Sequence, residues 1–203
     1  MGAGIGSFLN VVIYRMPRGI SLSEPARSFC PKCKHDLGVL DLFPLLSWLL
    51  LRGKCRYCKN KVSPRYFVVE LVNGSIWAGI WYQYLVRGSD VGTAVAYAAA
   101  GSTLVVAIFI DLELYIIPDQ VNAFLLLVGL AYNGWLFYAK SPASMTWGIP
   151  SAIAGWLVGV GVLWLIALFG RVFFRKDAMG HGDIKMARGI GAVLFPGAAV
   201  MSF

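Results

Sequence analysis

The chain is 203 residues long, 58% hydrophobic and only 14% charged, with a mean hydropathy of +0.68. Soluble domains carry roughly 25% charged residues, so the composition excludes an ordinary soluble globular protein and reads as an all-α, polytopic membrane helix bundle. The net charge of +8 is concentrated, because 11 of the 18 Lys and Arg fall between Arg15 and Arg65; orientation by the positive-inside rule and attraction to anionic membrane lipid account for that block with no nucleic-acid partner.

Met1 to Tyr14 is apolar, with glycines at 2, 4 and 6. The run falls short of the ~20 residues a spanning helix needs and lacks the basic n-region of a signal peptide. Residues 1–14 therefore read as the end of a first membrane helix whose beginning is missing or frayed. Gly2 and Gly6 have the small-xxx-small spacing that lets helices touch, a spacing that chance also produces.

Residues 15–65 form a polar, basic insert, placed on the cytoplasmic side by its charge. Cys30-Pro-Lys-Cys33 and Cys55-Arg-Tyr-Cys58 are two CxxC knuckles with 21 residues between them. That interval is slightly longer than the usual four-cysteine zinc spacing. Each knuckle presents two thiolates on one tight turn, and two knuckles close a tetrahedron with no open position, which makes a structural rather than a catalytic zinc site. The neighbouring Lys32, Lys34, Lys54, Arg56 and Lys59 favour the thiolate form. A redox pair is the competing reading, disfavoured on the reducing inner side of a membrane. His35 is expected to be a solvated surface residue, since four cysteines complete the shell. Leu40 to Leu51 is apolar around Pro44 and too short to span, so it is expected to lie against the membrane or pack on the knuckles.

Residues 66–203 read as a helix bundle that carries the chemistry. Tyr66 to Leu85 is a spanning run with Glu70 near its start. A glutamate there is either functional or paired, or is a carboxylate favoured by the helix N-terminus. Arg87 to Asp90 is a turn, and Val91 to Ile110 is a return span rich in small residues. Asp111 follows directly, where a carboxylate opposes the helix dipole; the bland alternative is a loop boundary. Glu113 is expected to be solvated and Asp119 to favour the helix N-terminus opened by Pro118. Val121 to Ala139 spans again, Lys140 to Trp147 is a short loop, and Ala152 to Phe169 returns with Gly155 and Gly159 in GxxxG spacing. Arg171, Arg175 and Lys176 mark another cytoplasmic connection. Gly180-His-Gly-Asp183-Ile-Lys185 then leads into the last apolar run, Ile184 to Phe203.

This count puts Asp111 and Asp183 on one side of the membrane. Two carboxylates held close together do not both ionise easily, so one can act as general acid while the other activates water against a peptide carbonyl. Aspartyl proteolysis is the reading this supports, with no metal in the chemistry. A non-enzymatic zinc-ribbon membrane scaffold, or a proton-coupled transporter whose aspartates line a path, is the alternative.

The residues Gly6-Ser-Phe-Leu-Asn-Val-Val-Ile-Tyr-Arg15, the two knuckles, Arg65-Tyr66 with Glu70, Asp111 with Ile117-Pro118-Asp119, and Gly180 to Lys185 together resemble the bacterial type IV prepilin peptidases, in order and through nearly the whole chain. The resemblance implies a multi-pass enzyme of the bacterial inner membrane. It would cleave the leader from type IV prepilins and type II secretion pseudopilins at the cytoplasmic face, then N-methylate the new terminus with S-adenosylmethionine. By motif match, Asp111 and Asp183 would be the catalytic pair and Cys30, Cys33, Cys55 and Cys58 the zinc ligands. Glu70 would stand near the methyl-transfer function. No glycine-rich nucleotide fingerprint marks the donor site.

Overall fold

The computed structural model describes residues 1–24, 27–30, 32–88, 90–146, 148–174, 186–187 and 189–194. The named helices are α1 (Gly2–Arg15), the short α2 (Leu46–Leu50), α3 (Arg65–Trp81), α4 (Val91–Leu114), α5 (Asp119–Tyr138) and α6 (Ser151–Phe174). Residues 189–194 are helical as well. A two-residue hairpin, Met145–Thr146 against Ile149–Pro150, links α5 to α6. The expected all-α membrane bundle is what forms. Helices α4 and α5 are long and apolar enough to cross a bilayer, with mean hydropathies of 2.0 and 1.4 over their most apolar windows.

The helix limits follow from local chemistry. Asp90 caps α4, its carboxylate accepting the Thr93 amide at 3.0 Å, which is the standard service of an aspartate at this position. Helix α4 then outruns the apolar stretch that suggested it, because Asp111 to Leu114 stay helical until Tyr115 turns left-handed at φ 55 and donates to the Asp111 carbonyl at 2.8 Å. Pro118, with φ −61 and ψ 140, stands just before α5, so the chain enters that helix from an extended residue.

Helices α1 and α3 run antiparallel in close contact. A Cβ on Gly2 would lie 2.5 Å from the Trp77 Cβ, and one on Gly6 would lie 2.8 Å from the Glu70 Cα. The small-xxx-small spacing is therefore a packing seam and not a chance pattern. Polar locks hold both ends of it: Asn73 Nδ2 donates to the Gly2 carbonyl at 2.7 Å, and Asn10 Nδ2 donates to the Tyr66 carbonyl at 3.0 Å. Asn73 is fully buried and also accepts from Ser102 of α4 at 2.9 Å, while Ser102 accepts from Trp77 Nε1 at 2.9 Å. One asparagine thus ties three helices, each such bond contributing roughly 0.6 kcal/mol inside a membrane.

Below this junction lies the apolar core of Leu9, Val12, Ile13, Val69, Val105, Ile110 and Val121, drawn from α1, α3, α4 and α5. On the other side of the bundle, Gly155 and Gly159 of α6 meet the backbone of Gly191 and Ala187, where a Cβ on either glycine would collide. The GxxxG expected from the sequence joins α6 to the helical segment at 189–194.

Candidate functional site

The insert, the C-terminal ends of α1 and α4 and the N-terminal end of α3 meet at one end of the bundle. The Arg65 guanidinium at the start of α3 pairs with the Glu113 carboxylate in the last turn of α4. Glu113 is therefore not simply solvated as its sequence position suggested. A residue 48 positions away in the sequence supplies its counter-charge.

The two knuckles are built on one plan. In the first, the Cys30 amide donates to the His35 carbonyl at 2.9 Å and the Lys34 amide to the Cys30 carbonyl at 2.8 Å. In the second, Cys55 donates to Asn60 at 2.9 Å and Lys59 to Cys55 at 3.1 Å. Lys34 and Lys59 both take the left-handed conformation, at φ 60 and 57, which is uncommon for a residue with a Cβ. Short bridges, Phe29 with Asp36 and Lys54 with Lys61, close each turn. The four sulfur atoms consequently lie within 4.8 Å of one another, and Cys30 and Cys58 are 3.9 Å apart. Tetrahedral zinc with Zn–S of ~2.3 Å places its sulfurs ~3.8 Å apart, so the donor set fits that ion.

The thiols are electrostatically uneven. The Asn60 backbone amide, helped by its side chain and by the other cysteines, pulls Cys58 down to about 6. Cys33 receives the His35 amide, but desolvation and the neighbouring Cys30 and Cys58 push it up to about 11. A cation that replaces the shared protons resolves that competition. His35 is exposed, as expected, and stacks on Tyr57 with ring centroids 3.7 Å apart.

Sequence reasoning passed over Asp41. Its carboxylate accepts from Arg56 Nε at 2.5 Å, from the Tyr57 hydroxyl at 3.1 Å and from the Gly38 amide at 3.1 Å. It pins the apolar stretch to the second knuckle. Burial pushes its pKa up, but the Arg56 and Gly38 donors, with Tyr57, outweigh this and hold it below the ordinary carboxylate range. The stretch itself divides by face. Trp48 packs on Phe67 of α3 with centroids 5.2 Å apart, whereas Val39, Leu40 and Leu50 point away from the protein at 84%, 73% and 81% exposure.

Between α1, the insert and the start of α3 lies a cavity of about 460 Å³. Ser7, Asn10 and Tyr14 line it from α1, Trp48 from the insert, and Tyr66 and Glu70 from α3. Glu70 is buried, and its Oε2 accepts the Leu45 amide at 2.8 Å. Leu45 reaches it by adopting a positive φ of 63. Glu70 stands past the first turn of α3, where a helix-dipole contribution has faded; its partner is the backbone of the insert. Asp111 lies exposed in the last turn of α4. Asp183, with the rest of Gly180 to Lys185, lies outside the described residues.

Comparison with known proteins gives the same picture across both halves of the chain. Residues 1–84 match the bacterial peptidase A24 N-terminal domain, and residues 98–203 match the type IV leader peptidase family. The prepilin leader peptidase/N-methyltransferase of Klebsiella pneumoniae is 32% identical over 199 residues, covering 95% of this chain and 82% of that protein. The Neisseria gonorrhoeae protein of the same name is 32% identical over 217 residues, covering 96% of this chain and 72% of its own length. A type 4 prepilin-like proteins leader peptide-processing enzyme of Escherichia coli O78:H11 is 32% identical over 216 residues, covering 96% and 75%. No solved structure matches. With a membrane helix bundle, a four-cysteine centre and matches over almost its full length, the chain belongs to the type IV leader peptidase family.

Proposed function

We propose that the chain cleaves the leader peptide from prepilin-like and pseudopilin-like substrates at the cytoplasmic face of the bacterial inner membrane, and then N-methylates the exposed terminus. The observation that carries this reading is Asp111 in the last turn of α4, at the end of the bundle shared with the four-cysteine insert, in a chain whose relatives are named prepilin leader peptidase/N-methyltransferase. Asp111 and Asp183 form the catalytic pair. One carboxylate takes a proton from water as it attacks the scissile carbonyl, while the other, protonated, gives its proton to the carbonyl oxygen; as the diol collapses the first passes its proton to the leaving amine and the second takes its proton back from the diol hydroxyl. The pair titrates as a unit, so neither aspartate has a private pKa.

Cys30, Cys33, Cys55 and Cys58 hold a structural zinc ion, which fixes the insert against the bundle and takes no part in hydrolysis. S-adenosylmethionine supplies the methyl group for the second step. The test is incubation of the purified protein with a prepilin and methyl-labelled donor, with cleavage and label read on the same peptide by mass spectrometry. Cleavage at the leader junction with label on the new terminus is expected. An uncut substrate under conditions where the protein is folded and metal-loaded overturns the proteolytic reading.

A further inference from the structure

We infer that the stretch from Val39 to Leu50 is an interfacial membrane anchor, which seats the four-cysteine insert on an anionic lipid surface beside α3. The stretch is rich in leucine and yet has no core of its own. None of the residues of α2 is buried, although its sequence is Leu-Ser-Trp-Leu-Leu. Val39, Leu40, Phe43, Leu46, Leu49 and Leu50 are each more than half exposed. A folded protein rarely leaves so many large apolar side chains in water within one short stretch, and a patch of this kind marks a membrane or a protein interface.

Position and charge decide for the membrane. The inner side of the stretch touches the flank of α3 and not its tip: the Leu45 amide donates to Glu70 Oε2 at 2.8 Å, and Trp48 stacks on Phe67 with ring centroids 5.2 Å apart. Helix α3 begins at Arg65, so at 1.5 Å per residue the Glu70 contact lies about 7 Å down its axis. Interfacial helices ride about 5–10 Å into the boundary between headgroups and acyl chains. The Arg65–Glu113 ion pair marks the polar end of the bundle, and beyond it the side chains that α3 exposes, Val68, Leu71 and Val72, are apolar. The outward leucines of α2 therefore stand at the depth where α3 itself turns to hydrocarbon. Arg52 and Lys54 follow directly; both are exposed, and neither has an ion-pair partner among the described residues. Lipid phosphates supply that counter-charge, each cation near the surface strengthening attachment about fivefold. A second copy laid on the same face would bring these like charges together. Asp41 holds the other end of the stretch to Arg56 and Tyr57 of the second knuckle, so anchor and cysteine centre sit on the membrane as one piece.

The experiment puts photoactivatable benzoylphenylalanine in place of Leu46, Leu50 or Trp48 in the full-length, zinc-loaded protein. The protein is held in nanodiscs made from an equal mixture of phosphatidylcholine and phosphatidylglycerol, and the adducts are identified by mass spectrometry. The probes at Leu46 and Leu50 should capture acyl chains, whereas the probe at Trp48, on the inner face, should capture α3. Phosphatidylglycerol adducts should outnumber phosphatidylcholine adducts by about fivefold or more. Arg52→Gln combined with Lys54→Gln should bring that ratio back toward parity while acyl capture persists, because the leucines remain. Zinc content and melting temperature show that each probe-bearing protein is folded. Adducts at Leu46 and Leu50 with a second copy of the chain, or with an added prepilin, overturn the inference. So does the lack of any adduct in protein that keeps its zinc, and so does a lipid ratio at parity with both cations in place.

Discussion

Replacing Gly6 by alanine puts one methyl group into the seam between α1 and α3, 2.8 Å from the Glu70 Cα and 3.3 Å from the Val69 carbonyl oxygen. Carbon atoms rest at about 3.5–4.0 Å, so α1 must retreat by roughly 1 Å. No flexible side chain can absorb that movement, because the two nearest atoms belong to the backbone of α3. Overpacking of this kind costs about 1–3 kcal/mol. Gly4 provides the matched control: it sits in the same helix with nothing within 4 Å of an added Cβ, so Gly4→Ala should gain about 0.5–1 kcal/mol of helix preference. Gly6→Ala makes the same helix gain, so the two single-methyl variants should differ by the overpacking cost alone, about 1–3 kcal/mol, with Gly6→Ala the less stable. Reversible unfolding in mixed micelles, followed by helix circular dichroism, reads the difference. Equal stabilities for Gly6→Ala and Gly4→Ala would refute the backbone-to-backbone seam.

The remaining predictions concern the insert and the catalytic pair. Asp111→Asn or Asp183→Asn should lower prepilin cleavage by at least ~10²–10⁴-fold, the usual contribution of a general acid or base, with the protein still inserted; Asp119→Asn should keep most activity, and a fully active Asp111→Asn would remove that residue from the pair. Metal analysis should find about one zinc per chain, and Cys30→Ser or Cys58→Ser should lose it and expose residues 27–62 to limited proteolysis, whereas metal-free protein with a protected insert would contradict the zinc assignment. Asp41 has a folded pKa held below its ordinary 3.8, so its contribution to stability is fully present above that value and disappears as pH falls through the folded one. Melting temperatures of wild type and Asp41→Asn should differ at pH 7 and converge only below about pH 4; curves that run parallel to pH 3 would show that the Arg56 pair does not stabilise the insert.

What could be read from the sequence follows from how local each signal is. The CxxC pairs are self-sufficient signals, since two thiolates on one turn need only a second such turn to form a cluster, and the sulfurs do converge. Apolar runs located α3, α4, α5 and α6 within a few residues because a bilayer rewards length and hydropathy directly. The α4 terminus was missed by one turn, since Asp111 and Glu113 look like loop residues until Arg65 is known to face Glu113. Asn10 and Asn73 carry no visible pattern, because their carbonyl and hydroxyl partners come from other helices. The cavity was equally hidden: its walls are contributed by residues from Ser7 to Glu113, and Leu45 reaches Glu70 only by a backbone conformation that no leucine advertises.

The paired locks at the ends of the α1–α3 seam make the first helix a keyed part. Asn73 grips the Gly2 carbonyl at one end and Asn10 grips Tyr66 at the other, so α1 can neither roll about its axis nor slide by a residue without breaking a bond. Its cavity-facing side chains, Ser7, Asn10, Val11 and Tyr14, are indexed by that fit. An unrelated apolar helix of equal length and hydropathy grafted in its place would still enter the bilayer, since partitioning reads composition. It would arrive without an index, and the wall it built would belong to a different room.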